Sequence, residues 1–457
     1  MADRRMPAVG ASRPVGREPL PAKPEDCGAS HLLARCWEVL AIAVRPGLVG
    51  LWWRLGGRGG NRARAEAFAK SLRAGLERGG VTLVKLGQMA STQSEKLPVE
   101  VLVELARLRD QVAPLSPEQL ERVLRDELGA AWPDLFASFD PVPVAAASVA
   151  QVHHARLACG TEVAVKAQRP GLREEVQVDL CIMAWLARLA DARTSWAKRL
   201  GVVELVSGFA ASLRQELDFR LEAANLAAAA AGAISRGEDV SIVVPGAYED
   251  LCTERVLVMD WLEGVPLAGE DGVPLVGADQ AIPERGVDSQ KLAHALLVFL
   301  LRQILVDGVF HADPHPGNVL RLADGRLGLL DFGSVGTIGP EIRIALRRLM
   351  VSVERWDVSE AMDAFLVLLT TPPDLDKEEL SSVFEEFMGR YLGPGMALRT
   401  QLFTALVKLV TTYDLTISKE VATVFRALAT LDSTLAMLAP GFDMVAEVRA
   451  MSTDDVA

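Results

Sequence analysis

Residues Phe310 to Gly333 run F-H-A-D-P-H-P-G-N-V-L-R-L-A-D-G-R-L-G-L-L-D-F-G. Three polar groups recur at set intervals within them. Asn318 stands five residues after Asp313, and Asp331 thirteen residues after Asn318. Val319, Leu320 and Leu322 form one apolar run, and Leu327, Leu329 and Leu330 another. Between the runs lies Asp324-Gly325, a strong hairpin signal because both residues tolerate the left-handed backbone of a tight turn. The pattern predicts a hairpin with Asn318 where a loop enters the first strand and Asp331 where the second strand leaves. Closing the hairpin brings those two side-chain oxygens together, with Asp313 nearby on the loop.

This order matches the protein-kinase arrangement, in which an H-R-D-x-x-x-x-N loop supplies a base and one metal ligand and D-F-G supplies the other. The plainer alternative is a hairpin bearing two ordinary surface carboxylates. Upstream, Val144 to Ala155 reads as a strand, Cys159-Gly160 as a turn, and Thr161 to Gln168 (T-E-V-A-V-K-A-Q) as a second strand. V-A-V-K places Lys166 where the third strand of a kinase holds its phosphate-gripping lysine. Taken alone, such a lysine is more often a snorkelling strand residue; its value lies in preceding the Asp313 loop in the right order.

The chain has 457 residues, half of them hydrophobic and 24% charged, enough to bury a large core in two or three domains. Its net charge of -12 is unevenly spread: residues 1–80 carry +7, leaving -19 for the remainder. So acidic a body argues against nucleic acid as the main partner. The five cysteines, Cys27, Cys36, Cys159, Cys181 and Cys252, show no metal or redox spacing, which fits a reducing compartment and free structural thiols. The first thirty residues lack the apolar segment of a secretory signal. No uncharged apolar stretch reaches the ~18 residues expected of a membrane helix. A cytoplasmic location is therefore expected, with no signal peptide and no transmembrane helix.

Residues 1–30 read as a disordered arm rich in Pro, Arg and Gly. Residues 31–140 read as an N-terminal helical extension. Its first part, 31–55, is apolar, broken at Pro46, and ends in Trp52-Trp53-Arg54 ahead of several arginines. That combination suits peripheral contact with the inner face of a membrane, or equally a helix packed on the body. Pro98 and Pro117 each open a helix, the second capped by Ser116. Residues 141–264 read as a small lobe containing strands, and residues 265–457 as a larger helical lobe. Within the first of these, residues 172–235 read as helix. About 100° per residue then puts Glu216 and Glu222 on different faces, and for any single glutamate a solvated position is the usual case. Val256 to Met259 is a strand, followed by Asp260 to Gly264 in the manner of an interlobe hinge, where a nucleotide base would meet backbone groups beside Met259. Residues 268–287 read as a surface loop. Helices follow at 340–355, 357–370, 376–392, 396–414 and 418–438. The fold class is α+β: a bilobal protein-kinase-like fold with an added helical extension.

Four motifs make the sequence similar to the UbiB/AarF family of atypical kinase-like proteins. K-L-G-Q at Lys85 to Gln88 resembles its K-x-G-Q signature, and A-A-A-S-V-A-Q-V-H at Ala145 to His153 its alanine-rich nucleotide loop. E-L-D-F-R-L-E-A-A-N at Glu216 to Asn225 resembles its E-x-D helix, and H-A-D-P-H-P-G-N at His311 to Asn318 its catalytic loop. R-A-L-A-T-L-D at Arg426 to Asp432 resembles its C-terminal helices. The resemblance implies ATP and Mg²⁺ as ligands. Lys166 would pair with Glu222 and contact phosphates, Asp313 would take the catalytic-base position, and Asn318 and Asp331 would hold Mg²⁺. The loop Ala145, Ala146, Ala147, Ser148, Val149, Ala150, Gln151 and Val152 would contact the nucleotide. Lys85 and Gln88 would meet Glu216 and Asp218 over the place where a protein kinase takes its peptide. The implied activity is that of an ATPase or a small-molecule or lipid kinase in ubiquinone or other prenyl-lipid metabolism, with components of such a pathway as partners. A catalytically weak scaffold of a membrane-associated biosynthetic complex is the alternative. A protein Ser/Thr kinase is disfavoured, because Gly339-Pro340 already opens a helix six residues after Gly333, leaving no loop to seat a peptide.

Overall fold

The computed structural model describes residues 62–91, 98–105, 107–108, 113–235, 241–268, 289–391, 405–406, 408–410 and 412–451, together with Arg35 and Glu38. The 1–30 arm, the Trp52-Trp53-Arg54 segment and the loop beyond Ala268 lie outside these residues. In chain order come helices α1 (Arg62–Arg78), α2 (Val81–Ser91), α3 (Val99–Leu105) and α4 (Pro117–Leu128). Strands β1 (Phe136–Phe139), β2 (Ala145–Ala146), β3 (Ala150–Leu157) and β4 (Glu162–Gln168) follow, then α5 (Leu172–Arg193), α6 (Ser195–Leu200), α7 (Val202–Glu216) and α8 (Phe219–Ser235). Next are β5 (Ile242–Val243), β6 (Val256–Asp260), β7 (Gly264–Pro266), α9 (Ser289–Arg302), β8 (Val309–His311), β9 (Val319–Leu322), β10 (Leu327–Leu329) and β11 (Val335–Thr337). The chain continues through α10 (Pro340–Glu354), α11 (Val358–Val367), β12 (Leu369–Thr370), α12 (Lys377–Tyr391), β13 (Thr416–Ile417), α13 (Lys419–Leu438) and α14 (Met444–Ala450). Two compact units result: Met1–Leu115 with Ala146–Ala150 and Gln168–Leu217, and Ser116–Ala145 with Gln151–Ala167 and Asp218–Ala457.

The first unit is helical. α1 packs on α2 and α3, while α2 also packs on α5 and α7. Ala69, Val101, Leu105 and Leu108 form its buried centre. Gly87 allows the close approach: a Cβ there would lie 2.4 Å from Leu108 Cδ1 and 2.8 Å from Leu76 Cδ1. On α5, Asp179 is 3% exposed, and Arg35 compensates its charge. The Arg35 guanidinium reaches Asp179 at 2.7 and 3.0 Å, Glu175 at 3.2 Å and the Gly79 carbonyl at 2.6 Å. The hydrogen bonds that the guanidinium donates to Asp179 hold the Arg35 pKa above its ordinary value, against the opposing cost of burial.

The second unit carries the sheets. β1, β3, β4 and β6 form an antiparallel sheet in that order. One face, with Val163, Val165, Val256 and Val258, packs on Leu120, Val123 and Leu124 of α4. α4 is fixed at its start by a full capping box, in which the Ser116 hydroxyl accepts from the Gln119 amide and the Gln119 side chain accepts from the Ser116 amide. Alternation along the strands puts Ala164 and Lys166 of β4, and their cross-strand partners Met259 and Leu257 of β6, on the other face. A second sheet has the order β5-β10-β9-β7, with β5 parallel to β10. Its β9–β10 hairpin turns through Asp324-Gly325, where Gly325 takes the left-handed backbone at φ +88°. By length and composition alone, residues Ser289–Asp307 and Lys419–Leu438 are long and apolar enough to cross a membrane. In this unit α9 and α13 pack on each other, with Leu296, Leu300, Val424 and Leu431 all buried.

Two sequence readings change. Within the stretch 172–235 read as helix, Glu216 and Glu222 fall on two separate helices, since α7 ends at Glu216 and α8 begins at Phe219. At the break the Asp218 carboxylate accepts from the Arg220 amide and guanidinium, and the Phe219 amide donates to the Glu254 carbonyl. An aspartate that can bond its own backbone two residues on competes with helix, so the 100° count across Glu216 and Glu222 does not apply. Cys159 and Cys252 are free, but Cys181 is disulfide-bonded, with its partner outside the described residues. Pairing depends on proximity in the fold, which linear spacing does not display.

Candidate functional site

The site starts from β4 and α8. Lys166 Nζ lies 2.9 and 3.0 Å from the two Glu222 oxygens, and 5.1 Å from the centre of the Phe219 ring. The Glu222 side chain is only 5% exposed. A buried carboxylate is tolerable only when paired, so α8 holds the lysine strand tightly. One turn further on, Asn225 Nδ2 donates to the Phe332 carbonyl at 2.9 Å. Positions three apart share a helix face, so the same face of α8 grips both Lys166 and the D-F-G segment.

Asp331, the first residue of that segment, has φ +57°, a left-handed backbone uncommon for any residue but glycine. Its Oδ1 accepts the Gly333 amide at 3.1 Å. A Cβ on Gly333 would lie 3.0 Å from Asp331 Oδ1 and 3.7 Å from Glu222 Oε2. The Asp331 carboxylate and the Lys166–Glu222 pair therefore flank the same glycine. The Leu330 amide donates to the Asn318 carbonyl at 2.8 Å, which puts Asn318 and Asp331 at one end of the β9–β10 hairpin.

The loop before Asn318 is braced from within. The Asp313 carbonyl accepts the His315 amide at 2.7 Å and Asn318 Nδ2 at 3.3 Å. His315 Nδ1 accepts the Gly317 amide at 3.1 Å, and His311 Nδ1 accepts the Asp313 amide at 3.3 Å. His311 is buried with its ring 4.8 Å from that of Phe332. Burial pushes its pKa down, so it is held neutral. The Asp313 carboxylate is left exposed.

No group of three or more His, Cys, Asp or Glu able to hold a metal occurs among the described residues, so these residues build no all-protein metal cage. Two oxygens, from Asn318 and Asp331, suit a Mg²⁺ ion that takes its remaining ligands from phosphates and water. Because Asn318 Nδ2 is turned toward the Asp313 carbonyl, Oδ1 is the atom left for a cation.

Residues 107–365 match the model of the ABC1 atypical kinase-like domain. The chain belongs to the ABC1/UbiB family of atypical kinase-like proteins. It is 35% identical over 317 residues to the probable protein kinase UbiB of Marinobacter nauticus, covering 68% of this chain and 55% of that protein. It is 30% identical over 439 residues to Rv0647c, an uncharacterised protein of Mycobacterium tuberculosis, covering 95% and 85%. Among solved structures, that of Rv3197 with erythromycin, also from Mycobacterium tuberculosis, superposes with a TM-score of 0.53 at 26% identity over 77% of this chain and 86% of that one. The chain spans about half the length of the first curated relatives it matches. The kinase-like fold of the family implies nucleotide binding.

The K-L-G-Q motif lies in the first unit, as do Ala146–Ala150 of the alanine-rich loop. In K-L-G-Q, Lys85 is ion-paired with Glu216, Gly87 admits Leu76 and Leu108, and Gln88 Nε2 points at the Leu108 carbonyl at 3.5 Å. Asp218 belongs to the second unit, where it takes Arg220. In the alanine-rich loop, Ala145 and Ala147 are exposed and Ala146 and Val152 partly so, whereas Ser148, Val149, Ala150 and Gln151 are buried. The Ala147 carbonyl accepts Arg169 Nε at 2.9 Å, and the same guanidinium reaches the Ala113 carbonyl at 2.9 Å. Gln151 and His153 face each other at 2.7 Å, and His153 Nδ1 donates to the Asp140 carbonyl at 2.8 Å. The Gln151 amide is thus committed to protein, and burial pushes the His153 pKa down. Beside Met259, the amides of Asp260 and Trp261 already donate to the Gly246 and Glu162 carbonyls, so neither of those hinge groups is open to a base. Sequence reasoning assigned nothing to Asn225, Arg169 or His153. Asn225 and His153 were in plain view as motif positions, but their hydrogen-bond partners lie far along the chain or on another turn.

Proposed function

We propose that this chain is a magnesium-requiring, ATP-dependent phosphotransferase or ATPase that supports ubiquinone or other prenyl-lipid metabolism. The reading is carried by Gly333 standing between the Asp331 carboxylate and the Lys166–Glu222 pair. A cation on one side and an acidic oxygen that can hold a metal on the other are what a metal-bound phosphate chain requires. On this reading Glu222 orients Lys166, which would grip phosphate oxygens, and Asn318 with Asp331 would hold Mg²⁺, which would supply charge neutralisation on the phosphates. The exposed Asp313 carboxylate accepts the proton of the attacking hydroxyl or water. The strand end at Met259 completes the nucleotide contacts within this unit. Only residues 334–339 separate D-F-G from α10, and three of them form β11, which pairs with β8. No length remains there for a peptide platform, so a small molecule or lipid is the acceptor class, or water in an ATPase. Similarity of the chain to proteins named UbiB supports the pathway, and the Trp52-Trp53-Arg54 segment supports peripheral membrane contact from the cytoplasmic side.

Phosphate release from Mg-ATP, with and without lipid vesicles, tests this. Wild type should exceed Asp313→Asn by about 10²-fold, the usual weight of a general base, and should also exceed Asp331→Asn, which loses a magnesium ligand. Equal, slow release by all three would leave the scaffold reading in its place.

A further inference from the structure

The catalytic loop is also held from outside its own segment: the His311 amide donates to Gln303 Oε1 and the Ala312 amide to the Ser334 carbonyl, each at 3.0 Å, and a further brace acts directly after Asp313. Thr434, 0% exposed on α13, sends its hydroxyl to the Pro314 carbonyl at 2.6 Å, with the Thr430 carbonyl further away at 3.1 Å. A hydroxyl has one proton to give, and the shorter geometry takes it. Pro314 has no amide hydrogen, so its carbonyl is its only backbone polar group, and the residue is buried. Proline also fixes the backbone immediately after Asp313. α13 packs on the turn Pro316–Asn318 and on β11 as well, so it borders the loop on the side that Thr434 holds. The internal bonds of the loop all run among residues 311–318; the Thr434 contact ties that local network to a helix 120 residues away in sequence.

We propose that Thr434 is a positioning residue that sets the direction of the Asp313 carboxylate by fixing the Pro314 peptide. This rests on the reading of Asp313 as the reacting base. Thr434→Val keeps the shape and removes the donor, whereas Thr434→Ser keeps the donor and removes a methyl. Phosphate-release kinetics on the full chain should show kcat lowered about tenfold in Thr434→Val with KM unchanged, since a small misplacement of a reacting group acts on turnover. Thr434→Ser should restore it. If Thr434→Val only lowers the melting temperature and turns over like wild type where both are folded, the proposal is overturned. Asp313→Asn separates the two readings. If it releases phosphate as fast as wild type, the assignment of Asp313 has failed by itself. Thr434 is then judged by amide hydrogen exchange over residues 311–318 with no nucleotide present: faster exchange in Thr434→Val than in Thr434→Ser supports the brace, and equal exchange removes it.

Discussion

Asn225 shows how much one amide can decide. It is the link between the helix that pairs with Lys166 and the backbone of D-F-G. Asp331 sits in a left-handed conformation that isolated aspartate visits at a cost, and such strain persists where the surroundings over-determine it. Asn225→Leu removes the donor and leaves the Phe332 carbonyl unpaired, a loss of about 1–3 kcal/mol for a buried group. We expect a lower midpoint in urea and, more tellingly, weaker Mg-nucleotide binding than in a surface control such as Glu385→Gln. A stability loss with unchanged nucleotide affinity would show that the Asp331 backbone holds without it.

At the scale of elements, α5 depends on a residue well outside it. Asp179 is buried and charged, and Arg35 answers it from 144 positions upstream. Removing one member of a buried ion pair leaves an uncompensated charge and typically costs about 3–5 kcal/mol, whereas replacing both with apolar groups can be neutral. Arg35→Ala should therefore destabilise the chain strongly by calorimetry, and Arg35→Leu with Asp179→Leu should recover most of the loss. Additive losses in the double variant would mean that the two residues act independently. Elements of this fold were legible where local chemistry decides them. Asp324-Gly325 dictates its turn by backbone conformation, Ser116-Pro117 its helix start, and the apolar alternation around Val163 and Val165 its strand. The spacing of Asp313, Asn318 and Asp331 was legible for the same reason, because a hairpin converts sequence distance directly into proximity. The break at Asp218 was not, since helix propensity on both sides is good and the interrupting partner, Glu254, comes from elsewhere. Nor were Arg35, Asn225 and Thr434, each of which bonds a residue more than a hundred positions away.

For the molecule as a whole, two buried histidines set a direction with pH. His153 and His311 both have their pKa values pushed down by burial, while in the unfolded chain they return to about 6.5. Above that value both states are neutral and pH has little effect through these groups. As pH falls below it, the unfolded chain takes up protons that the folded chain refuses, so stability drops. The urea midpoint should fall between about pH 7 and pH 5.5, less steeply in His153→Gln; a flat midpoint would show that neither ring titrates differently on folding. One connection in the second unit bears on motion. The chain passes from β5 in one sheet to β6 in the other and back to β7 in the first. The two passages run side by side, and Asp260 clips them: its carboxylate takes the Gly246 amide at 2.9 Å and the Tyr248 hydroxyl at 2.8 Å. A door hung on a single pin can swing and swivel, whereas one hung on two neighbouring pins has a single arc. Two such pins leave the sheet that carries Lys166 fewer ways to turn against the sheet that leads into Asp331 than one would.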